Sequence, residues 1–114
     1  MSVYHAMRGA LSAKNFNNYV DLLHSDYTFV RHQFNKSVSL EEWKPILEGM
    51  FKAMNEGTFE IHSSRCLYEN SEILIVHDII SFPDGAKEAV LAVHSLSAGK
   101  IIRTETGATR LDES

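Results

Sequence analysis

Apolar residues recur at the spacing of an α-helix in several stretches of the chain. The first stretch runs from about Val3 to Lys14, and a second, shorter one follows Asn15. A third opens with Ser39-Leu40-Glu41-Glu42, and a serine followed three residues later by a glutamate is typical of a capping box. Its apolar stripe passes through Pro45, which lacks a backbone donor and is expected to kink the first turns.

The pattern elsewhere is that of β-strands, rich in β-branched and aromatic residues. Asp26 to His32 is the first predicted strand, and Gln33 to Val38 is predicted to be a polar loop. The second half predicts the strands Thr58 to Tyr68, Ile73 to Phe82, Ala86 to Leu96 and Lys100 to Leu111. Asp-Gly and Ala-Gly pairs between the last of these strands predict tight hairpins.

The predicted order of elements is helix, helix, strand, helix and then four antiparallel strands. No linker or internal repeat interrupts this order, so residues 1–114 are predicted to form a single domain. Helices that precede a long meander must cover one of its faces. The predicted fold is therefore α+β, with three helices on a curved antiparallel sheet that encloses a cone-shaped cavity.

Composition narrows the classes of partner. The 114 residues carry a formal net charge of -4 without a long run of Lys or Arg, which argues against a nucleic-acid groove. Cys66 is the single cysteine, so neither an internal disulfide nor a thiolate metal cluster can form. The N-terminus lacks the pattern of a secretory signal, and no apolar run reaches membrane-spanning length. We therefore expect a cytoplasmic protein without membrane or nucleic-acid partners.

Local sequence pieces resemble the nuclear-transport-factor-2-like superfamily, and within it the SnoaL-like and ketosteroid-isomerase-like proteins. They are Lys14-Asn15-Phe16, His24-Ser25-Asp26-Tyr27-Thr28-Phe29 and Ser97-Ala98-Gly99-Lys100-Ile101-Ile102. The resemblance covers nearly the whole chain and implies the cone-shaped fold. Members include isomerases, dehydratases, cyclases and non-catalytic partners, so the resemblance leaves the activity open.

The same resemblance implies what the chain lacks. Isomerases of the family use a tyrosine and two aspartates, whose positions fall near Met7, Arg31 and Ala92 here. Methionine cannot donate a hydrogen bond to an oxyanion, and arginine cannot act as a general base at neutral pH. The steroid-isomerase mechanism is therefore expected to be absent.

Histidines are the candidate catalytic groups, because imidazole titrates near neutral pH. If Asp84-Gly85 is a two-residue turn, His77 lies opposite Ala92 and shares one face with His94. The same count across the preceding turn adds His62 to that face. The resemblance independently places His77, His94 and Ala92 toward the pocket.

These histidines allow several readings. His94 and His77 are predicted to act as general acid or base, yet each could instead be a satisfied, partly buried side chain, or the face could be the dimer side. Three histidines on one face could also bind a metal, although diagonal strand spacing is loose for that, and no metal is predicted. Asp78 follows His77 and is expected to face the other way.

Other residues are candidates for the pocket wall. Arg31 follows Phe29 on the inward side of the first strand, so it should reach the cavity mouth and could fix a carboxylate or an enolate, or else extend into solvent. His32 would face inward only with a bulge. Tyr19 and Trp43 each join an apolar body to a polar group that could contact a ligand.

The last hairpin leaves two registers open. A two-residue turn at Ala98-Gly99 would place Arg103 inside, opposite His94. A three-residue turn would place Thr104 and Thr106 inside instead, and the resemblance favours this second register. Thr104 is therefore a predicted ligand contact, and Arg103 is expected to face outward.

Two classes of function follow. The first is a cofactor-free isomerase, dehydratase or cyclase that acts on a small apolar organic molecule through histidine and arginine. The second is a non-catalytic module that binds a ligand or another protein. A homodimer through the outer sheet face is expected in both cases, because an open meander exposes apolar residues there.

Overall fold

Helices cover one face of a single curved sheet. A computed structural model describes residues 2–111, apart from the side chain of Gln33. Its α-helices are α1 (Val3–Ser12), α2 (Phe16–Val20) and α3 (Leu40–Glu56), and a short 3-10 turn spans His32–Phe34. Its strands are β1 (Leu23–Arg31), β2 (Lys36–Ser39), β3 (Glu60–Glu69), β4 (Ile73–Ser81), β5 (Lys87–Ser97) and β6 (Lys100–Arg110).

The strands lie in the order β2-β1-β6-β5-β4-β3. Neighbours are antiparallel except for β1 and β6, which run parallel. The α+β class with a curved, unclosed sheet and three helices is confirmed. The predicted loop Gln33 to Val38 is wrong in its second half, because β2 forms there as an edge strand. Only Val38 of β2 is buried, so the short strand carries almost no hydrophobic signal.

Caps fix the ends of the helices. The Ser2 side chain accepts a hydrogen bond from the backbone N–H of His5, and Glu69 at the end of β3 accepts from both Ser2 Oγ and the Val3 N–H. These contacts join the start of α1 to the edge of the sheet. Gly57 ends α3 with a φ of 81°, a left-handed conformation that glycine adopts without strain.

The long helix α3 packs on the concave face of the sheet and covers the core. Pro45 lies inside it without ending it. Leu47, Phe51 and Met54 are buried on its inner side and belong to the same core cluster as Val76 of β4. Burying a side chain of this size contributes about 1.5–3 kcal/mol. Within residues 2–111, no helix has the length and apolarity needed to cross a membrane.

The loop between β4 and β5 sets which residues face the helices. Ser81 of β4 pairs with Lys87 of β5. In the loop, the Phe82 N–H donates to the Ala86 carbonyl, and the Gly85 N–H donates to the Phe82 carbonyl. Gly85 has a φ of 89°, so the loop is a turn followed by a left-handed residue, one residue longer than predicted. One residue reverses every side chain of a strand.

The last hairpin combines features of both predicted registers. Ala98 and Gly99 have φ values of 52° and 77°, and they form a two-residue turn between Ser97 and Lys100. A register shift between Ser95 and Leu96 then inserts one extra residue into β6. His94 therefore pairs with Thr104, which is buried.

The capping box of α3 gives a test of this local structure. Ser39 Oγ accepts from the Glu42 N–H, and the Glu42 carboxylate accepts from the Ser39 N–H. Ser39→Ala leaves the Glu42 N–H without its side-chain acceptor and is expected to lower the free energy of unfolding by about 1 kcal/mol. Urea unfolding measures the change, and Ser37→Ala on the exposed part of β2 is the control. Equal stability of the two variants would contradict the cap.

Candidate functional site

A cavity of about 450 Å³ opens between the concave sheet face and the helices. This volume is in the range of small-molecule sites. Most of its wall is apolar, including Met7, Leu47, Met54, Val76, Ile80 and Val90. Phe29 and Trp43 stack in the wall with ring centroids 4.0 Å apart and planes within 6°. Lys36, Ile46 and Pro83 line the cavity and are exposed, so they mark its mouth.

Among the described residues, Asp78 is one of two carboxylates in the cavity wall, and Glu88 is the other. Asp78 lies on β4 between Val76 and Ile80, both of which are buried. Its Oδ1 is inaccessible and has no hydrogen-bond partner among the described residues. Burial raises the pKa of Asp78, and the nearby Ser64 hydroxyl and Arg8 guanidinium lower it in part. A carboxyl group in this setting holds its proton more strongly than an exposed one.

Two phenols lie in the same cavity. The Tyr19 hydroxyl donates to Met7 Sδ over 3.5 Å. Burial, and secondly the charge of Asp78, raise the pKa of Tyr19 to about 12. Burial also raises the pKa of Tyr27. Both phenols therefore keep their protons at neutral pH and can donate hydrogen bonds into the cavity.

His94 occupies the buried part of the sheet floor. Its Nδ1 and Thr104 Oγ1 share a hydrogen bond of 2.8 Å. Burial lowers the pKa of His94 to about 4, so the ring is neutral at physiological pH. A neutral imidazole with this pKa is a weak base, and it can still orient a ligand through a hydrogen bond.

Charged residues meet near the mouth. Arg31 Nη2 lies 3.9 Å from Glu88 Oε1, and the Arg31 guanidinium lies 4.4 Å from the centre of the Phe34 ring. Glu88 faces the cavity from β5 and is buried. Three buried side-chain polar atoms in residues 2–111 have no hydrogen-bond partner: Trp43 Nε1, Asp78 Oδ1 and Glu88 Oε1.

Seven of the residues predicted for the site line the cavity: Tyr19, Phe29, Arg31, Trp43, Ala92, His94 and Thr104. Their positions are now known, whereas their chemical roles stay predictions. Thr106 also lines the cavity, while Arg103 is exposed and pairs with Glu105 over 3.2 Å.

The other three histidines of the predicted site do not line the cavity, so the inward placement of His77 and His62 is wrong. His77 pairs with Leu91 and faces outward, because the longer loop shifts β4 by one residue. His32 is exposed in the 3-10 turn, where its Nε2 lies 3.0 Å from the Glu105 carboxylate. His62 is exposed beside a register shift in β3 and bonds to Ser81 at 2.6 Å. His62, His77 and His94 therefore cannot meet around one metal ion.

Sequence reasoning missed two acidic residues of the cavity. Asp78 was expected to face outward, and the same loop that turns His77 out turns Asp78 in. Glycine as the third residue of Pro83-Asp84-Gly85 is the signal that could have indicated the longer loop. Glu88 carried no such signal, because a charged residue near a strand end normally faces solvent.

Solved structures with the same architecture are known. The chain matches an NTF2-like protein of unknown function from Cytophaga hutchinsonii with a TM-score of 0.73 and 17% identity, covering 94% of this chain and 87% of that one. The chain has the nuclear-transport-factor-2-like fold. No protein-family model matches its sequence, and no curated protein does so at a significant level.

Two further proteins share the nuclear-transport-factor-2-like fold with this chain. One is a SnoaL-like protein of unknown function from Burkholderia thailandensis, with a TM-score of 0.69, 8% identity, and coverage of 92% and 89%. The other, from Catenulispora acidiphila, has a ketosteroid-isomerase-like fold and a structure in complex with trimethylamine. Its TM-score is 0.63, with 16% identity and coverage of 93% of this chain and 84% of that one. At these low identities, the TM-scores confirm the predicted resemblance at the level of the fold alone.

The burial of His94 predicts a pH dependence of stability. Its pKa falls from an ordinary 6.5 to about 4 on folding, so the unfolded chain takes up the proton first as the pH drops. Stability from this group is complete above pH 6.5 and is lost toward pH 4, by about 3 kcal/mol in total. His94→Gln is expected to flatten this slope in urea unfolding at several pH values. The exposed His5→Gln should keep the wild-type slope, and equal slopes in both variants would contradict the prediction.

Proposed function

We propose that the cavity binds a small, largely apolar organic molecule and that the chain acts on it as a cofactor-free isomerase, dehydratase or cyclase. Asp78 is the group that transfers the proton. The observation that carries this proposal is the position of Asp78, a carboxylate in an apolar cavity wall with one oxygen buried and without a partner.

The surroundings of Asp78 suit proton transfer. A general base or acid works best when its pKa lies near the working pH, and an apolar site moves a carboxyl group in that direction. Tyr19 is close enough for the charge of Asp78 to raise its pKa, and it remains protonated. Its hydroxyl is a donor for the negative charge that develops when Asp78 removes a proton from carbon.

The predicted roles of His94 and Arg31 become narrower in this proposal. His94 is neutral at physiological pH, so its role is to orient the ligand rather than to store a proton. Arg31 lies at the mouth and acts through its charge. The trimethylamine in the Catenulispora acidiphila protein supports the general point that this fold admits small organic molecules.

Asp78→Asn tests the proton-transfer role. The amide keeps the shape of the side chain but cannot accept a proton, and general acid–base catalysis contributes about 10²- to 10⁴-fold. We expect wild-type protein to speed the exchange of the α-protons of cyclohexanone in D2O, measured by NMR, and Asp78→Asn to lose at least about 100-fold of that acceleration. The exposed Asp26→Asn is the matched control. Equal rates for Asp78→Asn and wild type would show that Asp78 is not the base.

The same variant should become more stable. Because burial raises the folded pKa of Asp78 above 3.8, its ionisation opposes folding more as the pH rises through that window. At pH 7, Asp78→Asn is expected to gain about 1 kcal/mol or less, since solvent in the cavity screens this partly buried group. The gain should vanish below pH 3.8. Lower activity with higher stability is typical of a functional residue and not of a structural one.

A non-catalytic binding module is the second candidate. The largely apolar wall and the neutral, weakly basic His94 favour it. The exchange measurement separates the two: binding of cyclohexanone without any acceleration by wild type would favour the binding module.

We also propose that two copies associate through the outer face of the sheet. The helices cover the opposite face, so Ile75, Ile79 and Val93 point outward and are only half-buried. Leu91, between them, is 43% exposed. An apolar patch without a covering helix is stabilised by contact with the same patch of a second copy.

Leu91→Glu tests this association. A charge in an apolar interface lacks a partner and loses its water, so the variant is expected to be monomeric under conditions in which wild type is dimeric. Analytical ultracentrifugation measures both. Asn18→Glu, which adds the same charge on exposed α2, should remain dimeric, and a monomeric wild type would contradict the proposal.

A further inference from the structure

Two cations stand side by side at the mouth of the cavity. Arg31 of β1 pairs directly with Lys36 of β2, and both residues line the cavity. Like charges directly opposite on neighbouring strands repel each other. Nothing in the packing of β1 and β2 requires this pair, because Val38 supplies the buried contact of β2.

The carboxylates near Arg31 and Lys36 form no hydrogen bond with either side chain among the described residues. Glu88 Oε1 lies 3.9 Å from Arg31 Nη2, which is beyond hydrogen-bond distance. Among the described residues, no hydrogen bond of the Arg31 guanidinium or of Lys36 Nζ is found. Glu42 in the first turn of α3 feels the charge of Lys36, but its side chain is engaged with Ser39.

We propose that Arg31 and Lys36 bind a carboxylate group of the ligand, whose apolar body fills the cavity behind them. This assignment rests on the proposed function and names the class of its ligand, a small organic acid. The guanidinium of Arg31 offers parallel donors that match a carboxylate, and Lys36 adds a point charge.

Arg31 is held in a position to do this. Its guanidinium lies over the ring of Phe34, 4.4 Å from the centre, and its side chain is 39% exposed. A cation over an aromatic ring is restrained in orientation without the use of its hydrogen-bond donors. The donors therefore remain available to a group that enters the mouth.

Glu88 acts as a competitor for Arg31 in the absence of ligand. Its side chain is only 9% exposed, and its Oε1 has no hydrogen-bond partner in the described part of the chain. Because Arg31 and Lys36 both line the mouth beside Glu88, these three residues together carry more positive than negative charge. Removing the charge of Glu88 should therefore strengthen the binding of an organic acid.

A matched set of probes tests the assignment. The probes are 4-phenylbutyrate, 4-phenylbutan-1-ol and 4-phenylbutylamine, which share one apolar body and differ in the terminal group. Calorimetric titration is expected to show the carboxylate binding at least about tenfold more tightly than the alcohol, and the amine more weakly than either. Inorganic phosphate lacks the apolar body and should bind more weakly than 4-phenylbutyrate.

Single substitutions test whether each charged side chain strengthens or weakens the binding of the carboxylate. Arg31→Gln should remove most of the preference for the carboxylate while leaving the affinity for the alcohol nearly unchanged. Glu88→Gln should raise the affinity for the carboxylate several-fold and leave that for the alcohol unchanged. Lys52→Gln removes a cation from the exposed side of α3 and is the control, with wild-type affinities expected.

Two results would overturn the assignment. One is equal affinity of wild type for the carboxylate and the alcohol, and the other is weaker carboxylate binding by Glu88→Gln when its thermal unfolding matches wild type. Either would leave the proposed function standing, because alcohol binding reports on the cavity and proton exchange reports on Asp78. If wild type prefers the carboxylate but exchanges protons no faster than Asp78→Asn, the result would refute the proposed chemistry and leave the carboxylate site standing.

Discussion

The orientation of β4 rests on the loop that joins it to β5. The left-handed conformation at Gly85 lets the chain reverse over three residues, and the register of the β4–β5 ladder follows from it. With that register, Leu74, Val76 and Ile80 pack against the helices, and Asp78 takes the remaining inward place. The apolar core and the polar centre of the cavity are thus products of one backbone constraint.

The cavity combines that constraint with the curvature of the sheet. Many inward residues of β4, β5 and β6 are apolar. Polar ones lie among them: His94 with Thr104 on the floor, Thr106 on β6, Asp78 near Arg8 of α1, and Glu88 near the mouth. An acidic group among apolar neighbours costs stability, which is the usual price of a functional site. These polar groups lie apart from one another, so each can contact a different part of a bound ligand.

Much of this arrangement follows from local sequence. Helix periodicity, the capping box at Ser39 and the strand alternation predicted the element order except for β2, and the inward positions of Phe29 and Arg31 followed from β1 alone. The facing of His77 and Asp78 did not, because it depends on loop length, and a single residue reverses a strand. The inward position of Thr104 was reached through a register shift that no local signal marks.

The parallel pairing of β1 with β6 has a consequence for folding. The strands β3 to β6 join through short hairpins, whereas β1 meets β6 only after most of the chain has been synthesised and ordered. Contacts between distant parts of a chain carry a larger loop-closure cost and form late. We therefore expect the wall that carries Phe29 and Arg31 to form last, and a ligand that contacts both β1 and β5 to stabilise the fully folded state.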